Sequence, residues 1–154
     1  MSRFKNALRK HYIQPYVEGE ETPGDEGWLR LAKYISDITA NNDEETEEEA
    51  WYDGDGTPET SVLSISKGYD VEGDRYHGDD AQDLIDEMAF DETGRKVWHR
   101  VVQANGEKEF VGRATVSDIV TDGGPADEYE TFSCTITFDE KPTFSEVDDG
   151  DSGE

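Results

Sequence analysis

The chain has 154 residues and a formal net charge of −25 at pH 7, from 39 acidic and 14 basic side chains. Such an acidic chain repels phosphates, which argues against direct binding to a DNA or RNA backbone, and no apolar run approaches the roughly 18 residues that a membrane-spanning helix requires. The length is that of one domain, and the single cysteine, Cys134, excludes an intramolecular disulfide and is typical of a reducing compartment. A solvated surface, a salt-rich host and flexible tails all explain the acidity, as does a surface past which a polyanion moves without binding.

Residues 1–27 are interpreted as an N-terminal arm. Its first 17 residues carry apolar and basic side chains close together, including Phe4, Arg9, Tyr12 and Tyr16. A basic segment on an acidic chain favours docking, either onto a neighbouring copy or back onto its own molecule. Residues 18–27 and the C-terminal tail, residues 145–154, are acidic and nearly devoid of large apolar groups, so we expect both to be flexible in a free subunit.

Residues 28–144 are expected to form one β-rich domain. The sequence favours an extended segment at residues 28–39, although its apolar phase slips once, followed by a long acidic loop at residues 41–60. Alternation at residues 62–72 predicts a strand. The apolar side chains expected on one face of that strand are Leu63, Ile65, Tyr69 and Val71.

One α-helix is predicted, at residues 80–90. Its apolar residues recur at intervals of three and four, as in a helix with one buried face. They are Ala81, Leu84, Ile85, Met88 and Ala89. Asp79 or Asp80 is expected to cap the N-terminus of this helix, and Gly94 to stop it.

Three further strands are predicted after the helix. Residues 95–103 and 107–120 flank Asn105-Gly106, the dipeptide most typical of a tight hairpin turn. Residues 129–138 alternate strictly, so one face is expected to be buried and the other wet. The buried face holds Phe132, Cys134, Ile136 and Phe138, and the wet face holds Thr131, Ser133, Thr135 and Thr137. Ordinary solvent exposure explains this hydroxyl-rich face, as does a smooth wall that interacts weakly.

Together these elements predict a mainly β fold, a β-sandwich or partial barrel with one flanking α-helix. The signals for strands outnumber the single helical one, and turn residues separate them.

The stretch WYDGDGTPET, residues 51–60, looks at first sight like the start of a calcium loop. A loop of the EF-hand type that began at Asp53 would have an oxygen ligand at Asp55. It would also need glycine at its sixth position and glutamate at its twelfth, where this chain has Pro58 and Ser64. We therefore expect no specific metal site, although weak association of cations with the acidic loop stays an alternative.

A turn at the tip of a hairpin is the preferred interpretation of the same residues. Each aspartate there precedes a glycine, Gly54 or Gly56, and glycine readily adopts a positive φ. Trp51 and Tyr52 are expected to anchor an assembly loop beside the turn.

Neither a catalytic site nor a cofactor is predicted, so we expect a protein that is not an enzyme. His11, His77 and His99 have no regular spacing to one another or to Cys134. His77 has acidic neighbours, as a general base or a metal ligand would, but it lies near no nucleophile motif, phosphate-binding loop or zinc spacing. Cys134 is expected to be a small core residue.

Seven short motifs follow one another along the chain. They are KNALRK, W-x-R-L-A-K-x-I, DEETEE, YDGDGTPET-x-V, GYDVEGDRYHGDDAQDLI, GRATVSDI and FDEKPTF. In this order and spacing the chain resembles the major tail tube protein of long-tailed phages infecting Gram-positive bacteria. The similarity spans residues 5–143 and does not extend into the acidic tail after Phe144.

The resemblance implies a structural virion protein whose β-sandwich subunits close into hexameric rings. In that family the rings stack around a tape-measure protein, and the tube later conducts double-stranded DNA into the host without binding it specifically. Further partners implied are the tail terminator and distal tail proteins, with no membrane partner. The expected location is the virion tail, with the host cytoplasm during assembly.

By position, the acidic loop at residues 41–60 and the arm at residues 1–27 match the segments that make contacts between rings in that family. The candidate inter-subunit residues are Phe4, Arg9, Tyr12, Tyr16, Trp51, Tyr52, Asp53 and Asp55. The candidate lumen-facing residues are Thr131, Ser133, Thr135 and Thr137. Deletion of residues 1–17 is expected to abolish tube growth and to leave subunit folding largely intact.

Three alternatives stay open. A monomeric acidic β-domain could bind a basic partner as a mimic of DNA, and a head decoration protein would also be a β-rich virion component. A cation-dependent module built on Asp53 and Asp55 is the third. Sedimentation across a range of salt and calorimetry with calcium would separate them from a tube subunit.

Overall fold

The computed structural model describes residues 3–19, 23–24, 27–91 and 94–146, and this part of the chain is mainly β, with a curled half-barrel sheet and one flanking α-helix. The predicted fold class is therefore confirmed. After a short 3₁₀ turn, Asn6–Leu8, the elements are β1 (Lys10–Pro15), β2 (Leu29–Arg30), β3 (Ile35–Ala40), β4 (Asp43–Glu49), β5 (Glu59–Ser66), β6 (Gly68–Asp74), α1 (Asp80–Met88), β7 (Lys96–Val102), β8 (Lys108–Val120), β9 (Thr131–Phe138) and β10 (Thr143–Glu146).

Eight strands form one antiparallel sheet in the order β2-β1-β7-β8-β9-β6-β3, and β10 pairs with β8 beside this path. The remaining two strands, β4 and β5, pair only with each other. Sequential strands β7 and β8 meet at the predicted Asn105-Gly106 turn, where Gly106 has a φ of +75° and its N–H donates to the Gln103 carbonyl. The hairpin prediction is confirmed.

The hydrophobic core lies on the inner face of the curled sheet. Alternation in β9 is as predicted: Phe132, Cys134, Ile136 and Phe138 are all buried. Helix α1 covers this face with Ala81, Ile85 and Met88, and it contacts β8, β1 and β2. Asp79 caps the helix by accepting a hydrogen bond from the Gln82 N–H, as expected.

The segment at residues 28–39 is two strands and not one. Tyr34 has a φ of +58° and breaks the chain between β2 and β3, which is where the apolar phase slips in the sequence. Strand β2 lies at one edge of the sheet and β3 at the other. Because Arg30 and Ile35 are five residues apart and can be separated by at most about 17 Å, the sheet must curl until its two edges approach each other. A Cβ at Gly73 would collide with the Tyr34 carbonyl oxygen, so the break also requires glycine at that position of β6.

The N-terminal arm requires a correction, because residues 10–15 are strand β1 of the main sheet. Strand β1 pairs with β7 along its whole length, and Ile13 is fully buried in the core. Deletion of residues 1–17 would therefore remove a core strand, so we expect it to disrupt folding and not to leave folding intact. In the described part of this segment, residues 3–9 precede β1, and residues 16–19, 23–24 and 27 follow it outside the sheet.

Most of the predicted flexible segments lie outside the described residues. This holds for residues 20–22 and 25–26 of the acidic stretch and for residues 147–154 of the tail. The first two residues of the predicted tail, Ser145 and Glu146, belong to β10 and pair with β8.

Candidate interaction surfaces

A two-stranded ribbon projects from the edge of the sheet. The pairing of β3 with β6 continues into that of β4 with β5 in the same register, with Ala40 opposite Tyr69 and Asp43 opposite Ser66. Asn41 N–H donates to the Gly68 carbonyl across the junction. The prediction of an acidic loop at residues 41–60 is therefore wrong over residues 43–49, which form strand β4, and over residues 59–60, which begin strand β5. The glutamate-rich run is a strand because a partner strand supplies its backbone hydrogen bonds.

The ribbon is exposed on both strands. Every residue of β4 is exposed, and so is every residue of β5 except Ser66, which is half-buried. Two strands alone are marginally stable in water, and their unpaired outer edges are templates for pairing with another chain. The ribbon therefore has the properties of a segment that binds something outside its own subunit.

The two strands of the ribbon differ in chemistry. Strand β4 carries six acids in seven residues: Asp43, Glu44, Glu45, Glu47, Glu48 and Glu49. Strand β5 exposes Val62, Leu63 and Ile65 by 53%, 58% and 70%. Alternation predicted that the apolar side chains of residues 62–72 share one buried face. Only Tyr69 and Val71, in the C-terminal half of this segment, are buried. Leu63 and Ile65 lie beyond the edge of the sheet, where nothing in the described chain covers them.

The tip of the ribbon is a turn, as the preferred interpretation had it. The Gly54 N–H donates to the Trp51 carbonyl, and the Thr57 N–H donates to Asp55 Oδ1 at 2.9 Å, which lowers the pKa of that carboxyl. Gly56 has a φ of +89°. Trp51 and Tyr52 are exposed, so neither side chain anchors the turn to its own subunit.

Near the base of the ribbon an apolar groove of about 530 Å³ separates β5 from the C-terminal strand β10. Its apolar lining residues are Val62, Leu63, Ile65, Phe138, Pro142 and Phe144. Sequence reasoning missed this groove. The signal was present in the apolar residues at 62–65 and in Phe144, but their proximity depends on the pairing of β10 with β8.

The hydroxyl-rich residues of β9 lie on the outer face of the sheet. Thr131 is exposed, whereas Ser133, Thr135 and Thr137 are half-buried. Directly opposite them on β6 are Asp70, Glu72 and Asp74, and on β8 Thr115 and Ser117. Thr135 Oγ1 donates to Asp70 Oδ1 at 2.8 Å. Over β6, β9 and the adjoining half of β8, this face is a continuous wall of hydroxyl and carboxylate groups.

The same outer face carries cations further along, on β7 and β8. Lys96 and Arg113 both donate to Asp139 Oδ2 at 2.9 Å, and Arg100 donates to Glu109 at 2.7 Å. Lys96 Nζ also donates to Thr115 Oγ1, which in turn donates to Asp139 Oδ1. Each of these three cations thus has a carboxylate partner within the subunit.

Of the candidate contact residues near the N-terminus, three are engaged inside the subunit. Arg9 donates to Asn6, to the Ile38 carbonyl and to His11 Nε2. The Arg100 guanidinium lies 5.2 Å from the Tyr12 ring centroid, and Tyr16 packs edge-on against Trp98 at 5.5 Å. Phe4 remains half exposed. The structure thus brings Phe4 and the ribbon-tip residues to the surface but does not bring them together.

The residues considered for catalysis do not form a reactive constellation in the described part of the chain. His77 is exposed and pairs with Glu130 at 2.8 Å, while burial raises the pKa of the Cys134 thiol to about 12, which makes it unreactive. No described group of three or more His, Cys, Asp or Glu side chains is arranged to hold a metal ion. Among the described helices, none combines the length and apolar composition needed to cross a bilayer.

Solved structures share this fold, and three of them align as follows. The chain aligns with one from the tail of an empty gene transfer agent (GTA) particle, determined by helical refinement with C6 symmetry, at a TM-score of 0.68 and 12% identity over 92% of this chain and 98% of that one. A chain from the virion of the native gene transfer agent particle gives 0.63 and 12% identity, over 88% and 95%. A chain from the anti-feeding prophage cap, a tube-terminating cap, gives 0.59 and 11% identity, over 96% and 93%.

No protein-family model matches the sequence, and no curated protein does. At 11–12% identity the structural likeness shows a shared fold.

Proposed function

We propose that this chain is a structural virion protein, the subunit of a tail tube. The observation that carries the proposal is the exposed ribbon of β4 and β5, which no described part of the same chain covers. The fold that bears this ribbon is shared with tail and tube-cap chains. Copies close into hexameric rings, and the ribbon of one copy contacts a neighbouring copy. In this proposal Trp51, Tyr52, Asp53 and Asp55 at the ribbon tip, with Phe4, Arg9, Tyr12 and Tyr16 near the N-terminus, are contact residues.

The dimensions of such a ring suit a duplex. Six subunits that each contributed four strands would make a cylinder of roughly 24 strands, about 48 Å across at ~4.8 Å spacing and ~40° tilt. Side chains reduce this diameter and still leave space for double-stranded DNA. A single subunit cannot enclose that volume, so conduction requires assembly.

The wall of hydroxyls and carboxylates supports a lumen on the outer face of β6, β9 and β8. Thr131, Ser133, Thr135 and Thr137 lie there beside Asp70, Glu72 and Asp74. A surface without free cations gives phosphates no counterion-releasing contacts, so DNA passes without adhering. The paired state of Lys96, Arg100 and Arg113 is compatible with this role, since their charges are already matched.

The proposal also includes the partners that a tube requires. A tape-measure protein occupies the lumen before DNA, and tail terminator and distal tail proteins close the two ends. The protein is located in the virion tail after assembly in the host cytoplasm, and the sequence resemblance adds Gram-positive bacteria as the host class. It is not an enzyme in this proposal.

Negative-stain electron microscopy of the purified full-length chain tests the function. Rings or tubes with six-fold symmetry are expected. The matched control is a Leu63→Asp/Ile65→Asp variant, which places charge on the exposed strand without touching the core and is expected to stay monomeric. A wild-type protein that stays monomeric at all concentrations and salt levels would overturn the proposal.

A second candidate function has one specific observation in its favour. Strand β4 is an ordered acidic surface, as a monomeric mimic of DNA would need to bind a basic partner. The apolar side chains of Val62, Leu63 and Ile65 on the adjacent strand argue against it, because a DNA-like surface has no use for them. Sedimentation analysis decides between the two, since a mimic remains a monomer.

A further inference from the structure

Three exposed tyrosines surround a small cavity at the end of the sheet opposite the ribbon. Tyr34, Tyr76 and Tyr129 are 58%, 41% and 83% exposed. Together with Asp74 and Arg75 they line a cavity of about 260 Å³. Strand β6 begins beside the ribbon and ends at Asp74, so the cavity lies about 20 Å from the base of the ribbon. Large aromatic side chains that adjoin one concave surface indicate a binding site.

Two buried side chains fix the backbone around this cavity. The fully buried amide of Gln82 donates to the carbonyls of Lys33 and Asp74. Its oxygen accepts from the N–H of Tyr76 at 2.8 Å. The guanidinium of Arg75, whose side chain is 3% exposed, donates to the Tyr76 carbonyl at 2.8 Å. Because the walls are held by hydrogen bonds from the core, the cavity is pre-formed, as a ligand site needs to be.

The backbone at Tyr34 has a conformation that a bulky side chain rarely adopts. Its φ is +58°, in the left-handed region that is unfavourable for residues with a Cβ. A glycine would adopt the same φ without strain, so the turn by itself does not require the aromatic ring. The strain places this ring beside that of Tyr76, with centroids 5.3 Å apart. Strained residues concentrate at sites of recognition and catalysis, so the ring is interpreted as part of a binding surface.

The charges around the rings select a neutral ligand. The Lys33 ammonium lies 5.5 Å from the ring centroid of Tyr34 and 5.2 Å from that of Tyr76. A second cation over these rings would be repelled by it. The Asp74 carboxylate lines the cavity, has no ion-pair partner among the described residues and repels anions. A ligand without net charge is therefore the one that both groups accept.

Unused hydrogen-bonding groups border the same cavity. In the described part of the chain, neither the three tyrosine hydroxyls nor the Asp74 carboxylate has a hydrogen-bond partner, and the buried Nε of Arg75 has none either. A pyranose sugar matches this combination, because its axial C–H bonds form an apolar face that packs on an aromatic ring while its hydroxyls donate and accept. The cavity is slightly smaller than the roughly 300–1,000 Å³ of sites for drug-sized ligands, which suits a single sugar ring.

We propose that this cavity binds a neutral saccharide, with one pyranose unit packed on Tyr34 and Tyr76 and its hydroxyls bonded to Asp74 and Tyr129. The site goes beyond the proposed function and does not depend on it, since a single subunit contains all of these residues. In an assembly of many copies the site would recur, and weak binding at each copy would add up on a glycan with repeated units.

Saturation-transfer NMR and calorimetry of the full-length chain with methyl β-D-glucopyranoside test the proposal. All ring hydroxyls of this sugar are equatorial, so both of its faces are apolar. We expect a Kd on the order of 1 mM, as for a ligand of this size with ordinary efficiency per atom. Tyr34→Gly removes the ring and keeps the positive φ, so it should fold and weaken binding by about tenfold.

Two further variants accompany Tyr34→Gly. Tyr129→Ala removes a side chain that is 83% exposed, so it leaves the core intact and should also weaken binding. The matched control is Tyr52→Ala, which removes a fully exposed tyrosine at the ribbon tip and should leave the Kd unchanged.

Lack of saturable binding at sugar concentrations well above 1 mM on the order expected would overturn the proposal. Equal Kd values for the wild type and for Tyr34→Gly and Tyr129→Ala would also overturn it, because the sugar would then bind elsewhere. A polyproline peptide is the comparison ligand, since its rigid helix docks on aromatic-lined grooves. Binding of the peptide and not of the sugar would overturn the saccharide site and assign the tyrosines to a proline-rich segment. None of these results changes whether rings or tubes form in electron micrographs, so the tube function is tested separately.

Discussion

His11 and His99 are two buried histidines whose protons can be placed from their partners. Arg9 Nε donates to His11 Nε2 at 2.8 Å, so that nitrogen is an acceptor and the proton of neutral His11 is on Nδ1. His11 Nδ1 lies 3.2 Å from His99 Nε2, which must then accept. The proton of His99 is on Nδ1, a buried atom with no partner among the described residues. The pair is therefore held neutral, with His99 stacked on Phe138.

Acidification should destabilise the subunit through this pair. Burial lowers the pKa of His11 to about 2, with His99 and Arg9 as further causes, and burial lowers that of His99 to about 3. Below the unfolded value near 6.5 the unfolded chain takes up protons that the folded chain does not, so stability is full above that pH and falls as the pH decreases towards 3. The expected loss approaches about 1.4 kcal/mol per pH unit for each histidine.

Urea unfolding between about pH 7.5 and 5 measures this effect, in a range where carboxylates stay mostly ionised. The matched control is His77→Gln, which removes an exposed histidine and should leave the pH dependence of the buried pair intact. A free energy of unfolding that is constant across this range would show that the buried pair does not remain neutral.

Gln82 is a buried polar residue whose side-chain oxygen and nitrogen both have hydrogen-bond partners. Its Oε1 accepts from the Tyr76 N–H at 2.8 Å, and its Nε2 donates to the carbonyls of Lys33 and Asp74. The fully buried amide thus ties α1 to the β2–β3 turn and to the end of β6. Nothing in the helical periodicity distinguished Gln82 from the exposed polar residues of the same helix.

Gln82→Leu should therefore be strongly destabilising. The substitution leaves several buried backbone groups without a hydrogen bond, and each such group costs about 1–3 kcal/mol of stability. We therefore expect the free energy of unfolding to fall by about 3 kcal/mol in total. Glu87→Leu on the exposed side of the same helix is the control and should change it by less than about 0.5 kcal/mol. Equal effects of the two substitutions would mean that the amide network does not stabilise the helix.

At the scale of elements, the ribbon and the sheet have different roles although they share two continuous strands. Strands β3 and β6 belong to the sheet, with Tyr69 and Val71 in its core, whereas β4 and β5 contribute nothing buried. Strand β1 shows the reverse: it lies in a basic segment that resembles an arm, yet Ile13 and His11 are core residues. Element membership thus follows pairing and burial, and not local composition.

Removal of the ribbon should separate assembly from folding. Asn42 lies opposite Lys67 in the register of the ribbon, so residues 43–66 can be replaced by a two-residue Asn-Gly turn. The shortened subunit is expected to keep its circular dichroism and unfolding midpoint, because it loses no buried side chain, and to form no rings or tubes in electron micrographs. Tubes from the shortened chain would show that assembly does not need the ribbon.

At the scale of the whole molecule, self-repulsion is the dominant electrostatic term. The 39 acidic side chains face 14 basic ones, and several of the cations are already held in pairs within the outer face of the sheet. The excess negative charge is carried largely by the ribbon, the loops and the termini. Compaction of such a chain brings like charges closer together, so the folded state is stabilised by anything that screens them.

Added salt should therefore raise the stability of the dilute monomer. An increase from about 0.1 M to 1 M shortens the screening length from about 10 Å to 3 Å, and the urea midpoint is expected to rise accordingly. A variant with Glu44, Glu45, Glu47 and Glu48 changed to Gln serves as the matched control and should respond less. Equal responses of the two proteins would assign the salt effect to something other than the charge of the ribbon.

The sequence by itself determined the elements whose signals are local. Strict alternation placed Phe132, Cys134, Ile136 and Phe138 on the buried face of β9, Asn105-Gly106 marked the β7–β8 turn, and three- and four-residue spacing located α1. Each of these signals depends on steric preferences within a few residues, so no distant partner is needed to interpret it.

Only the tertiary structure decided which apolar faces are covered. Leu63 and Tyr69 belong to the same alternating pattern in the sequence. Tyr69 is buried because β9 pairs beside it, whereas Leu63 is exposed because no strand of the main sheet pairs beside it. Likewise, the residues of β2 and β3 form one extended pattern in the sequence, but the two strands lie at opposite edges of the curled sheet. Alternation specifies that a strand has two different faces, whereas burial depends on what packs against them from far along the chain. The exposed side of the ribbon, and with it the surface proposed for assembly, is therefore a property of the fold.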